Sequence, residues 1–270
     1  MSRHRARVAV LWLALAVALL AGAGCADGTS GAGQQVPTVR VAAAADLKFA
    51  LDEVADALAA AHPPVRVETT YGSSGTFYQQ IRNGAPFDVY LSADMSYPEG
   101  LVEAGLAPPD DLFDYAVGRL VVWAPDGSPA DPSAGLAGLT DQAVARVAIA
   151  NPEHAPYGQA AVAAMTSAGV YEAVRDKLVL GENVAQAGEF AASGNAPVAV
   201  IALSLVLSTP LEQTGDFTEV PLDSFPRLDQ GGVVLAGAAD REAAERLREF
   251  LISPDGAAIL ETYGFYPPGG

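Results

Sequence analysis

The sequence predicts an α/β protein with mainly parallel sheets and flanking helices, large enough for two lobes. Three observations carry this. Short apolar runs alternate with helix-like runs along most of the chain. Four of the apolar runs pass into a helix-like run through a short junction, as strand–helix units do. From Cys25 onward there are 246 residues (270 less 24), enough for two medium domains or one large one.

The elements follow in order. Residues 39–44 read as a strand, and the chain turns helical after Asp46, with Leu47, Leu51, Val54 and Leu58 on one face up to residue 62. In residues 65–71, Val65, Val67, Thr69 and Tyr71 recur with period two, as one face of a strand does. Residues 76–83 lack breakers and place Phe77 and Ile81 one helical turn apart. A strand at 89–91 and a helix near 97–104 come next, and residues 116–124 read as one long strand. Residues 127–137, dense in Gly, Pro, Ser and Asp, read as a loop. A strand at 146–150, a helix from Tyr157, a strand at 178–180, a helix at 184–192 and a strand at 198–202 follow. Residues 233–236 and the helix 241–252 close the pattern, and no internal repeat is visible.

The most informative stretch is Tyr71-Gly72-Ser73-Ser74-Gly75-Thr76-Phe77. Glycine lets a backbone approach a ligand closely, and the first turn of a helix offers unpaired N–H groups. A strand–Gly-Ser-Ser-Gly–helix junction is thus suited to cradling an oxyanion. Read alone, it serves equally as a helix cap and tight turn. Similar junctions stand at Ala45-Asp46-Leu47, before Tyr157 in Asn151-Pro152-Glu153-His154-Ala155-Pro156-Tyr157-Gly158, and at Glu182-Asn183-Val184.

These four junctions, with Asn83-Gly84-Ala85-Pro86-Phe87-Asp88-Val89 and Leu91-Ser92-Ala93-Asp94, resemble the periplasmic molybdate-binding proteins of ABC transporters over most of the chain after residue 38. The resemblance implies a two-lobed, type II periplasmic binding protein fold. Lobe one would comprise 39–118 and 230–270, and lobe two 119–229, with crossings in 116–124 and 221–232. It implies an anion held between the lobes for a permease and its ATPase. Ser74 would contact an anion oxygen through hydroxyl and N–H, with Ser73 beside it, and Tyr157 and Val184 would offer backbone N–H groups. The ligand would be molybdate or tungstate, with no cofactor and no resident metal.

Two positions depart from the family pattern. Relatives carry a Ser, Thr or Asn side chain at the first junction, where this chain has Ala45 and Asp46. Asp46 either caps the helix with its carboxylate or faces the ligand. Some relatives supply a tyrosine hydroxyl after the strand 198–202, where this chain has Ser204, whose hydroxyl is expected in or near the cleft. These departures keep sulfate and phosphate as alternative ligands.

Arg3, Arg5 and Arg7, the apolar run 8–21 and the small residues before Cys25 predict an export signal over 1–24. The run is short of the roughly 20 residues of a membrane span. The ending resembles a lipoprotein cleavage site with Cys25 lipidated, an ordinary cleaved signal being the alternative. Residues 25–38 read as a Gly/Ser-rich tether. The expected location is outside the cytoplasm, with the membrane touched only through the lipid, and the expected state is a monomer.

The mature part carries 12 basic and 32 acidic residues, a net charge of −20, which argues against nucleic acid or an anionic membrane surface as partner. It does not exclude a small anion, because distant surface charges are screened beyond about 8–10 Å. A lone cysteine excludes an intrachain disulfide and leaves no thiol nucleophile or cysteine-based zinc site in the folded body. His62 reads as a helix-end residue and His154 as a loop-fixing hydrogen bonder. No Gly-x-Ser-x-Gly elbow flanks either, so an enzyme, as a secreted hydrolase, is the remote alternative. A sensory lipoprotein without a transporter is a third possibility.

Overall fold

The computed structural model describes residues 36–61, 65–208, 211 and 214–269. The expected signal, Cys25, the expected tether up to residue 35 and His62 lie outside the described residues, and Thr38 at the expected tether's end already opens the first strand. The rest folds around two five-stranded sheets. The first has the order β2-β1-β3-β10-β4, with β1 (Thr38–Ala44), β2 (Arg66–Gly72), β3 (Val89–Ser92), β4 (Leu112–Gly118) and β10 (Leu228–Val234). The second has the order β7-β6-β8-β5-β9, with β5 (Leu120–Pro125), β6 (Val147–Ala150), β7 (Leu178–Gly181), β8 (Val198–Ala202) and β9 (Gly215–Glu219).

The two sheets share one plan. In each, three parallel strands are followed by two pairings of opposite sense: β2-β1-β3 then β10 and β4, β7-β6-β8 then β5 and β9. The sheets are therefore mixed where the alternation of strands and helices predicts mainly parallel ones. The antiparallel strands are those next to the crossings, where the chain changes sheet and must return. The equivalence is invisible in the sequence, since it lies in pairing direction rather than in repeated residues.

Central strands β3, β6 and β8 are buried along their whole length and are almost wholly apolar, as strands covered on both faces must be. Edge strand β2 alternates exposed and half-buried positions, matching its period-two pattern. Helix α1 (Lys48–Ala61), preceded by a 3₁₀ turn at Ala45–Leu47, buries Leu47, Leu51, Val54 and Leu58 completely against the first sheet. Each such side chain contributes about 1.5–3 kcal/mol. Helix α2 (Ser74–Arg82) turns Phe77 and Ile81 inward, and α3 is Ser96–Glu103. In lobe two, α4 (Pro156–Ser167), α5 (Tyr171–Val174), α6 (Val184–Ala192) and α7 (Leu203–Val206) surround the second sheet. The C-terminal α8 (Arg241–Leu251) and α9 (Pro254–Thr262) return to the first core. Helix α9, capped by Ser253, and the exposed edge strand β9 carry too weak a periodic signal to be read from sequence.

Residues 116–124 are not one strand. The chain breaks at Arg119, so that β4 ends in the first sheet and β5 starts in the second. Gly118 marks the break: a Cβ there would collide with the Tyr157 hydroxyl and Gln230 Nε2. The chain returns between Glu219 and Leu228.

A buried ion pair ties lobe one together. Asp88 is fully buried and receives Arg40 Nη2 at 2.8 Å, Arg40 Nε at 3.0 Å, and the amides of Arg40 and Ala239 at 2.7 and 2.8 Å. Burial pushes its carboxyl up, but Arg40 and the two amides outweigh this and hold it below the usual range. The Asn-Gly-Ala-Pro-Phe-Asp-Val run is thus structural at Asp88, joining β1, β3 and the approach to α8.

Candidate functional site

The helix starts that follow β1, β2, β6 and β7 wall one small pocket. Lobe one contributes Ala44, Ala45, Asp46, Gly72, Ser73, Ser74 and Ala93. Lobe two contributes Ala155, Pro156, Tyr157, Asn183 and Val184. Because the sheets share one plan, the contributors are two equivalent pairs of strand–helix junctions facing each other. The enclosed space is about 10 Å³, far below the roughly 300–1,000 Å³ of clefts for drug-sized ligands, so its occupant is small.

Among the described residues, no lysine, arginine or histidine lines this pocket. Any attraction for an anion comes from hydroxyls and from helix-start N–H groups, which lack intrahelical acceptors and carry the positive end of the helix dipole. Ser74 opens α2. Its Oγ accepts the Ala93 amide at 3.0 Å, and its carbonyl accepts the Tyr90 hydroxyl at 2.7 Å. The Ser74 hydroxyl hydrogen is thereby left to donate into the pocket. Tyr157 is the second residue of α4, behind Pro156. Val184 opens α6 behind Asn183, whose side chain caps the helix by accepting from Gln186 N at 3.0 Å.

The rim of the pocket is closed by contacts between lobes. Gly75 N donates to the His154 carbonyl at 2.9 Å, and the Ser73 hydroxyl donates to the same oxygen. His154 Nδ1 lies 2.9 Å from Ser73 Oγ, which fixes the proton on Nδ1, because that hydroxyl is already donating elsewhere. His154 Nε2 faces Glu182 Oε2 at 3.7 Å, and Thr76 Oγ1 donates to Glu182 Oε1 at 3.2 Å. Glycine is required at residue 75, where a Cβ would stand 2.6 Å from the His154 carbonyl oxygen.

The floor of the pocket is a buried polar cluster at the crossing. Asp46 is 1% exposed, and its Oδ2 accepts from Gln230 Nε2 at 2.5 Å. The Tyr157 hydroxyl is also directed to this carboxyl and lies 3.2 Å from Gln230 Nε2. Tyr115 hydroxyl meets Gln230 Oε1 and the Ser92 carbonyl, each at 2.9 Å. Among the described residues, buried Asp46 Oδ1 has no hydrogen-bond partner. Burial pushes the Asp46 carboxyl up to about 6, against the hydrogen bonds from Gln230 and Tyr157. Burial likewise raises Tyr157 and Tyr115, with the Asp46 charge adding to it, so both remain neutral donors.

Six of the seven expected pocket residues, Ala45, Asp46, Ser73, Ser74, Tyr157 and Val184, meet in this wall. Ser204 does not. It donates instead to the Asp46 carbonyl at 2.7 Å, tying α7 to the first junction. The capping reading of Asp46 is also corrected: the turn at Ala45–Leu47 has no side-chain cap bond, because the carboxyl is turned to Gln230. His154 is more than a loop fixer, since its ring crosses to the other lobe. Gln230 and Tyr115 escaped sequence reading. The one available signal was a glutamine inside the otherwise apolar end of β10, a residue that must be hydrogen-bonded when buried. Among the described residues, no group of three or more His, Cys, Asp or Glu side chains is arranged to hold a metal ion.

Residues 39–266 match the family model of bacterial extracellular solute-binding proteins. The chain is 44% identical over 199 residues to the molybdate-binding protein ModA of Rhodobacter capsulatus, covering 74% of this chain and 77% of the relative. It is 37% identical to ModA of Azotobacter vinelandii, covering 86% and 90%. The solved periplasmic molybdate-binding protein of Azotobacter vinelandii superposes with a TM-score of 0.79 at 30% identity, covering 85% of this chain and 99% of that one.

Proposed function

The chain belongs to the bacterial extracellular solute-binding proteins, and we propose that it captures molybdate between its lobes for an ABC importer. One observation supports this most: four strand–helix junctions, two from each lobe, converge on a small pocket that no cationic side chain among the described residues lines. Such a pocket attracts an anion through N–H and O–H groups of fixed position. It selects by size and hydrogen-bond geometry rather than by net charge. Tetrahedral oxyanions differ mainly in the length of the central-atom–oxygen bond, and the opposed junctions measure that length. Tungstate, nearly the same size as molybdate, would be accepted as well.

Transport follows from the division into lobes. The rim contacts of Ser73, Gly75 and Thr76 with His154 and Glu182 exist only when the lobes are together. An anion bound between them favours that closed form by touching both sides. The permease, with its ATPase, would read the closed form. The protein works outside the cytoplasm, as a monomer tethered by lipid at Cys25. Fatty-acid labelling that is equal in wild type and Cys25→Ser would remove the anchor from this account.

Ser73, His154 and Glu182 form a hydroxyl–imidazole–carboxylate row, the constellation of a nucleophilic hydrolase. We read it as a clasp, because the Ser73 proton is given to the His154 main chain and not to its ring. Absence of turnover on ester and phosphate substrates is the expected result. Calorimetric titration with molybdate, tungstate, sulfate and phosphate tests the main reading. Tight binding of sulfate or phosphate with none of molybdate would overturn it.

A further inference from the structure

The floor of the pocket holds an atom that the pocket's own residues leave without a partner. Asp46 is 1% exposed and lines the wall; its Oδ2 accepts from Gln230 Nε2, and the Tyr157 hydroxyl and its own amide are directed to the carboxyl as a whole. Among the described residues, Oδ1 has no hydrogen-bond partner. Buried polar atoms are almost always hydrogen-bonded, and an exception inside a binding pocket points to the ligand. A bare carboxylate oxygen beside an oxyanion would be repulsive in a dry site, where neither charge is screened by water. A proton between the two oxygens converts that repulsion into a charge-assisted hydrogen bond.

We propose that this site takes up its oxyanion together with one proton from solvent, held between Asp46 Oδ1 and an oxygen of the anion. The inference rests on the molybdate reading above. Only an O–H bond is made, and whether the proton is formally on Asp46 or on the anion does not alter the stoichiometry. Among the described residues, the surroundings supply no competing cation. From α4, Asp46 faces Tyr157; from β4, Tyr115 stands one step away across Gln230; and from β10 comes Gln230, which carries no charge. Ser204 of α7 meets only its main-chain carbonyl. The other junctions bring serines, Asn183 and Val184. His154 is held at the rim by Ser73 and Glu182. The raised Asp46 carboxyl agrees with this account, because such a group accepts a proton readily near neutrality.

The role is specific to this carboxyl. It makes Asp46 a determinant of which anions are kept: those whose oxygens can share a proton are favoured, and weakly basic ones are penalised. It also makes capture stronger at lower pH.

Calorimetric titration of the mature protein with molybdate at about pH 7.5, in buffers of different ionisation enthalpy, reads the protons taken up directly. About one proton per anion is expected, with Kd rising roughly tenfold per pH unit above neutrality. Asp46→Asn is expected to bind with no buffer-dependent heat and a pH-flat Kd, and His154→Ala to retain the proton uptake. Molybdate binding by wild type with no proton uptake and a flat Kd would overturn the inference and leave the molybdate reading standing. Proton uptake lost in His154→Ala would assign the proton to the rim and also overturn it. Binding of none of the four oxyanions would overturn both readings together. The wild-type measurement decides the matter even if Asp46→Asn fails to fold.

Discussion

Ser73 and His154, 81 residues apart and in different lobes, are joined twice: the Ser73 hydroxyl donates to the His154 carbonyl and accepts from its ring Nδ1. With Gly75 N on the same carbonyl and Thr76 on Glu182, this closes the rim of the pocket. The lobes are thus joined by hydrogen bonds at the rim as well as by the chain crossing at Arg119.

His154→Ala is expected to loosen this clasp while leaving every pocket-wall residue in place. One hydrogen bond between lobes is worth about 1 kcal/mol, so the closed form loses roughly fivefold in weight and the apparent Kd rises by about that factor. The change should lie in the dissociation rate of the anion, measured by stopped flow. An unaltered dissociation rate would mean that the rim contact does not hold the lobes closed.

Ser74→Ala removes a hydroxyl placed to donate to a charged oxygen. A loss of about 1.5–3 kcal/mol, or about 10- to 150-fold in Kd, is expected by calorimetry. The substitution also strips the Ala93 amide of its acceptor, so the melting temperature should fall slightly. A lower melting temperature with an unchanged Kd would show that the hydroxyl serves Ala93 alone.

Asp88→Ala should act on stability without touching the pocket. It leaves the Ala239 amide and the inner face of Arg40 without their acceptor. Arg40 is part exposed and regains some water, so the loss is placed at the low end for a broken buried pair, about 3 kcal/mol. In a chain of this size that is roughly 6–12 °C in melting temperature, read by calorimetry. A shift below about 2 °C would mean that the pair contributes little.

Asp46 gives the anion-free protein a pH dependence of defined sign. Its carboxyl is raised in the folded state to about 6, above its unfolded value near 3.9, so the folded form binds the proton more tightly. The stability from this group is complete below about pH 4 and is lost as pH rises through about 6. Two pH units correspond to about 3 kcal/mol, which wild type should lose between pH 4 and 7 relative to Asp46→Asn. Other carboxylates, Asp88 included, act alike in both proteins and cancel. Parallel unfolding free energies across that range, from urea titrations, would refute the assignment.

The alternation of strands and helices, the apolar face of α1, and the junctions at Asp46, Ser74, Tyr157 and Val184 were all legible in the sequence. They are local: periodicity and helix starts depend on neighbours within a few residues. The identity of Asp46 was also legible, but its role was not, because capping and ligand contact use the same residue at the same helix start. The outcome depended on Gln230, 184 residues away, whose Nε2 reaches Asp46 Oδ2 and turns the carboxyl from the helix. The break at Arg119, the matched plan of the two sheets, the Ser73–His154 clasp and the removal of Ser204 to the Asp46 carbonyl are likewise decided by tertiary structure. Each is a pairing across lobes or between distant strands, and such pairings depend on shape and burial that no short window of residues encodes.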